Sequence, residues 1–323
     1  MRKKRTFFIL AILVLCLSGC MKENVSDELD NVGLLVPETV NDGVWGTKGY
    51  KGLLKIQSKH DVDVFYKESM NNDTSIEQAI KQYDQDGVNL VFGHGSEYAD
   101  VFNRTAKEYP DIHFVSFNGE ATEKNTTSLA FKGYSMGFFG GMTAAHHSKT
   151  NKIGVIAAFD WQPEVQGFVD GAKHQNKDIE VIVEYTNHWD DKERALERLD
   201  SLVKKDADVV YPAGDGYNVA VIEELKEEGL FAIGYVSDQS DLGESTVLTS
   251  TVQHADKLYE LVADKVAEGD LSSGVLEFDF KDGAVSLGEF SPLISKDFQK
   301  SINQQVKNYI ETGKLPNGKE ANQ

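Results

Sequence analysis

Gly133-Tyr134-Ser135-Met136-Gly137 sets a serine between two glycines, after an apolar run and before a helical one. This is the spacing of a nucleophile elbow, and the chemistry it would serve is acyl transfer. Gly93-His94-Gly95 would mimic an oxyanion loop, with Asp238 and His254 as later triad partners. Two features weigh against catalysis. The strand before Ser135 is short and starts with the polar Asn125, Thr126 and Thr127, unlike the buried central strand that holds a strained elbow. Small residues at this spacing also let a helix pack closely. Metal chemistry is no better supported: His146 and His147 are adjacent, so on a helix they diverge by roughly 100°. The chain has no His-Glu-x-x-His, no Gly-Lys-Ser/Thr phosphate loop and no cysteine pair. No enzyme activity, metal or cofactor is expected.

A different signal recurs from loop to loop. Asp42 and Trp45 follow the first apolar run; Gly93, His94, Ser96 and Glu97 follow the third; Asn118 and Glu120 follow the fourth. Phe159, Asp160 and Trp161, then His188, Trp189 and Asp190, occupy the same place in a second series. Ala213-Gly214-Asp215-Gly216-Tyr217-Asn218 and Ser237-Asp238-Gln239 complete the set. All three tryptophans of the chain lie in these loops. Open α/β sheets bind ligands beyond the carboxyl ends of their strands. A flat ligand held between aromatic faces, with carboxylates for its hydroxyls, fits this composition: a nucleoside or a sugar. For any one residue the alternative is structural, a tryptophan filling a core gap or an aspartate capping a helix.

The elements that must carry those loops alternate regularly. The run Val32–Val36 reads as a buried strand, Pro37 to Gly43 break it, and Trp45 opens an amphipathic helix. Strand and helix then alternate to His147, and an equally complete series runs from Ile153 to Val236. Such spacing demands parallel pairing through right-handed crossovers. The expected fold is α/β, two doubly wound parallel-sheet lobes joined by a multi-crossover hinge. Past Val236 the regularity fails, and Val275–Phe290 reads as a hairpin turning at Lys281-Asp282-Gly283. The expected division is 31–130 plus 253–275 for the N-terminal lobe and 131–252 plus 276–316 for the C-terminal lobe.

With 323 residues the chain is long enough for two cores, and its formal charge is −19. That acidity argues against nucleic acid, whose phosphates need Lys and Arg, and against a surface lying flat on anionic lipid. The N-terminus has a basic segment, Arg2 to Arg5, and an apolar run, Phe7–Leu17. Eleven helical residues span roughly half of the ~30 Å bilayer core, so residues 1–19 read as an export signal. Leu17-Ser18-Gly19-Cys20 resembles a bacterial lipobox, which would make Cys20 the lipid-carrying first residue of the mature protein. Residues 20–30 would tether it to the extracytoplasmic face of the cell membrane. Cys16 lies in the signal, so no thiol remains for a disulfide, a zinc site or a cysteine nucleophile.

Over nearly all of the mature chain the sequence resembles the basic membrane protein family of substrate-binding lipoproteins, which includes purine-nucleoside receptors of ABC importers. The resemblance is carried by Asp42…Trp45…Gly49-Tyr50-Lys51-Gly52-Leu53, Lys107-Glu108-Tyr109-Pro110-Asp111 and Ser148-Lys149-Thr150-Asn151-Lys152-Ile153-Gly154. Gly167-Phe168-Val169-Asp170-Gly171-Ala172-Lys173, Ala207-Asp208-Val209-Val210, Asp238-Gln239-Ser240 and Val247-Leu248-Thr249-Ser250 extend it. It implies a type I periplasmic-binding fold, a nucleoside-like ligand between the lobes and an ABC permease as partner. By the same resemblance Trp45 takes the place of a stacking Phe, Asp42 that of a polar contact, Trp189 that of a second stacking aromatic, and Asp238 lies in the sugar loop. Gly46, Asn118, Val236 and Gln253 stand where the nucleoside binders have Asn, Asp, Asp and Lys. Each lost charge-assisted contact costs on the order of 1.5–3 kcal/mol, leaving His94, Glu164 and Asp215 to compensate. Trp45 to Leu53, Gly93 to Tyr98 and Tyr211 to Asn218 resemble a regulatory branch of the family, lipoproteins that promote competence gene expression. That branch is the alternative function; with no basic helix for DNA, its effect on transcription would be indirect.

Overall fold

The computed structural model describes residues 29–321. The expected signal peptide, Cys20 and most of the tether lie outside them. The described chain forms two six-stranded sheets. The first holds β1 (Asn31–Leu35), β2 (Asp63–Lys67), β3 (Leu90–Gly93), β4 (His113–Phe117) and β5 (Thr126–Phe131). The second holds β6 (Lys152–Ala157), β7 (Glu180–Tyr185), β8 (Val209–Ala213), β9 (Phe231–Val236) and β10 (Val247–Gln253). Two late strands complete them: β11 (Gly274–Phe278) pairs parallel with β5, and β12 (Val285–Leu287) antiparallel with β10. The orders are β11-β5-β4-β3-β1-β2 and β12-β10-β9-β8-β6-β7. The α/β expectation of two doubly wound, mostly parallel sheets is met.

The stretch 275–290 is not a hairpin. Its two strands join different sheets, so residues 276–278 belong with the first sheet rather than with the second series. An Asp-Gly between apolar runs is a strong local turn signal. Here it serves a short 3-10 turn, Phe280–Asp282, followed by Gly283 at φ 65°. The Asp279 side chain caps that turn, and the chain passes on to the other sheet.

Three crossings therefore connect the sheets: β5 to α4 (Gly133–His147), β10 to α8 (Ala255–Ala267), and β11 to β12. They are bonded to one another. Lys132 N donates to Phe278 O (2.9 Å) and His254 N to Ala284 O (2.7 Å). The Asp279 carboxylate accepts from Ser135 Oγ (2.9 Å), from Phe280 N (2.7 Å) and from the Tyr309 hydroxyl on α9 (Lys296–Thr312). Helix α8 returns to the first lobe and lies along α1 (Trp45–His60), with Lys55 bridging Asp256 and Glu260 and Lys59 bridging Asp264. These partly exposed ion pairs contribute little. The buried contact of Gly52 with the Tyr259 ring does more to set the helix spacing.

The Gly-x-Ser-x-Gly is part of this scaffold. It lies inside the first turns of α4, not at a strand–helix corner. Its glycines face α5 (Pro163–Gln175). A Cβ at Gly137 would overlap the Glu164 carbonyl oxygen, one at Gly141 that of Phe168, and in return ones at Gly167 and Gly171 those of Tyr134 and Phe138. The two helices touch backbone to backbone, which only glycine allows. Ser135 is buried with its hydroxyl given to Lys132 O and Asp279. His254 bonds Ser286 instead (2.9 Å). No triad forms.

Candidate functional site

Trp45 opens α1, and Asp42 fixes that opening. The Asp42 carboxylate accepts from Gly46 N (2.6 Å), Val44 N (2.9 Å), Thr47 N (2.9 Å) and Thr47 Oγ1 (3.0 Å). Four acceptances fill its lone-pair sites, so Asp42 is a helix cap and its charge is held where the helix dipole favours it. The missing Cβ of Gly46 makes room for this: one there would lie 2.2 Å from Thr39 O.

His94, at the end of β3, is fully buried and supports Trp45 from behind. The two rings stack at 4.1 Å and 16°. Trp45 Nε1 donates to His94 O (3.1 Å), and His94 Nε2 lies 2.7 Å from Trp45 O. His94 Nδ1 meets the Tyr259 hydroxyl of α8 (2.9 Å). The Nε2 nitrogen must therefore carry the proton and Nδ1 accept. Burial pushes the imidazole down to about 4, so it is neutral at pH 7. With both nitrogens used, His94 positions Trp45 and does not face a ligand. Phe117 and Phe131 meet the Trp45 ring edge-on at 5.4 and 6.2 Å. Exposed Asn118 follows Phe117 at φ 53° and accepts from Phe131 N (3.2 Å). Beyond this frame the indole stays partly open.

The second lobe presents an aromatic cluster of its own. Phe159 stacks on Trp161 (5.5 Å, 12°), and Trp189 stands edge-on to both, at 5.4 and 5.8 Å. Trp161 is 57% exposed and Trp189 partly buried. Behind them lies a buried polar lattice. Glu164 accepts from Gln162 Nε2 (2.9 Å) and the Tyr235 hydroxyl (3.0 Å), and Gln162 also donates to Ala213 O (2.9 Å). Asn218 donates to Gly214 O and Asp215 O and accepts from Gln239 Nε2 (2.9 Å). Glu164 and Asn218 thus fix the loops at Gln162 and at Gly214–Asp215. Exposed Asp238 ties its own loop to β12's far end through Glu289 N (2.8 Å). Just before it, Val236 holds φ 63°, a conformation that costs a β-branched residue of order 1–3 kcal/mol.

The two lobes meet at Asp215, in the loop from β8 to α7 (Asn218–Glu227). Gly216 N donates to Trp189 O (3.0 Å), which joins this loop to the Trp189 loop. Across the seam, the Asp215 carboxyl is near enough to the Trp45 backbone N–H, and to the carboxylates of Asp42, Asp190 and Glu97, for each to act on it. Burial, then those three charges, push it up to about 8, with the Trp45 N–H pulling the other way. Lys48, one turn along α1, is held below the usual lysine range by burial, against the pull of Asp256 and Asp215. The backbones of Trp45 and Trp189 thereby both approach the Asp215 loop, while each indole packs against aromatic rings of its own lobe. Sequence reasoning missed Tyr259, Gln162, Asp279 and Lys48, each of which has at least one partner far along the chain. Among the described residues no group of three or more His, Cys, Asp or Glu could hold a metal ion.

The two-lobed arrangement is that of type I periplasmic binding proteins. The transcriptional activator protein Med of Bacillus subtilis (strain 168) is 55% identical over 312 residues, covering 97% of this chain and 98% of that protein. A solved structure, a transcriptional activator of the comK gene from Bacillus halodurans, matches with a TM-score of 0.82 and 53% identity over 88% of this chain and 99% of that one. The ABC transporter nucleoside-binding protein BmpA of Lactococcus lactis subsp. cremoris (strain MG1363) is 27% identical over 88% of this chain and 92% of its own length. The family described as ABC transporter substrate-binding protein PnrA-like matches residues 29–319. The chain therefore belongs to the Bmp, or PnrA-like, family of substrate-binding proteins, a family of binding proteins rather than enzymes.

Proposed function

We propose that this protein is a regulatory lipoprotein of the Med kind, anchored through Cys20, which promotes competence gene expression indirectly and uses its binding-protein fold to sense a small planar ligand. The observation that carries this reading is the 55% identity to Med along almost the whole of both chains, against 27% to the nucleoside-binding BmpA. Asn118, Val236 and Gln253 support it, because they lack the charges that the family's nucleoside receptors use. The ligand reading rests on the seam: a partly open indole on one lobe, an aromatic cluster on the other, and Asp215 between them. Ligand bridging both lobes would favour the closed form.

The test is genetic and biochemical together. Deletion of the gene is expected to lower a competence-promoter reporter while leaving nucleoside uptake unchanged. The full chain should restore the reporter, and Cys20→Ser should not. Lost uptake with an unchanged reporter would instead support delivery of a nucleoside to an ABC permease, the reading favoured by the match to BmpA.

A further inference from the structure

Asp215 Oδ1 is buried without a hydrogen-bond partner. Its loop leaves it no partner on its own lobe. The backbone is fixed by Gly216 N on Trp189 O and by Asn218 on Gly214 O and Asp215 O. Gly214 is pressed against the Tyr217 ring and Gly216 against Asp190, so the loop has little freedom to turn the carboxyl away. A buried acceptor left unmade is costly, and a native site keeps one where something else supplies the donor. The groups that act on its carboxyl are Trp45 N–H, Asp42, Glu97 and Lys48 from the first lobe and Asp190 from the second. Three of the four charged ones are carboxylates, so a ligand with an anionic edge would be repelled.

We propose that Asp215 is the selecting residue of the cleft, and that the ligand is a planar heterocycle or amidine presenting two adjacent N–H donors to its carboxylate. This rests on the planar-ligand reading above. Two parallel N–H groups match the two oxygens of a carboxylate. The indoles of Trp45 and Trp189, whose backbones meet this loop, offer flat faces for the ring that carries them, and cationic character is favoured over aromatic faces. At pH 7 the unliganded carboxyl, raised to about 8, holds its proton. Docking of two N–H donors requires the ionised form, so the proton leaves to solvent as the ligand enters.

The experiment is calorimetric titration of the full-length protein in detergent with guanosine, inosine and benzamidine, repeated with Asp215→Asn. Guanosine has a ring N–H beside an amino group; inosine lacks the amino group; benzamidine has the donor pair without a sugar. Guanosine should bind on the order of 10- to 100-fold more tightly than inosine. Binding at pH 7 should release about one proton, read from buffers of different ionisation heat. Asp215→Asn should erase both the preference and the release. Nucleosides binding alike, with no effect of Asp215→Asn, would overturn the inference and leave the planar-ligand reading intact. Benzamidine binding through Asp215 with no nucleoside bound would keep the inference and end the nucleoside reading. No binding by any probe would overturn both.

Discussion

Replacing Gly171 by alanine puts a methyl carbon 1.9 Å from the Phe138 carbonyl oxygen and 2.6 Å from its carbon. Ordinary contact begins near 3.4 Å. The helices α4 and α5 must then separate by more than 1 Å, or one must bend, because the obstacle is backbone and cannot rotate aside. Gly137→Ala meets the same obstacle at the Glu164 carbonyl, 1.9 Å away. Overpacking of a tight interface costs about 1–3 kcal/mol. Alanine's better helix propensity returns roughly 0.5–1 kcal/mol. The net loss is about 1–2 kcal/mol for either substitution, a fall of roughly 2–8 °C in Tm at 2–4 °C per kcal/mol. Because both open the same interface, the double variant should lose less than the sum. Gly140 is the control: its Cβ would meet side chains alone, the Thr251 and Ile233 methyl groups at 3.1 and 3.4 Å and the Phe168 ring at 3.8 Å. Gly140→Ala should stay within about 1 kcal/mol of the parent. Urea unfolding followed by circular dichroism reads all four variants. Gly137→Ala and Gly171→Ala as stable as the parent, with Gly140→Ala the damaging one, would refute the backbone-contact account of this motif.

Buried His94 and half-buried His113 are both held down to about 4, so the unfolded chain takes up protons first as pH falls. Their stabilisation is complete above about pH 6.5 and is lost between 6.5 and 4, up to ~3 kcal/mol for each group. Urea midpoints at pH 7 and pH 5 should show the drop, and His94→Gln should flatten part of it. Asp279→Ala strands the buried Tyr309 hydroxyl at the crossing between sheets, while Ser135 keeps Lys132 O, and should cost about 1–3 kcal/mol in thermal unfolding. A fluorophosphonate probe should leave Ser135 unlabelled, since its hydroxyl is buried and lies against a carboxylate rather than an imidazole. Trp45→Ala and Trp189→Ala should each weaken binding of a planar ligand by about 1–3 kcal/mol, measured by calorimetry.

Where periodicity and length speak for an element, the sequence was readable. The helices at Trp45, Pro163 and Asn218 and the buried runs of β3 and β8 lie where apolar spacing puts them. The late strands were misread because β11 finds its partner 147 residues back (Gly274 beside Thr127), which no local pattern records. Asp42 and His94 are typed for ligand work, yet the fold uses every polar atom they have to set Trp45 in place. Conversely, Asp215 gains its character first from burial and then from charges on both lobes, visible only once α1 and the β8–α7 loop come together. The Gly-x-Ser-x-Gly was ambiguous on paper for a physical reason. Catalytic corners and close helix pairs both need residues without a side chain, and only the facing backbone of α5 separates the two.

A crystal structure of the protein with a bound planar ligand is the most direct test. Density for a flat ring between the Trp45 and Trp189 loops, within hydrogen-bond reach of Asp215, is the result this account predicts. A ligand seated elsewhere, with the seam between the lobes unchanged by its binding, would contradict it.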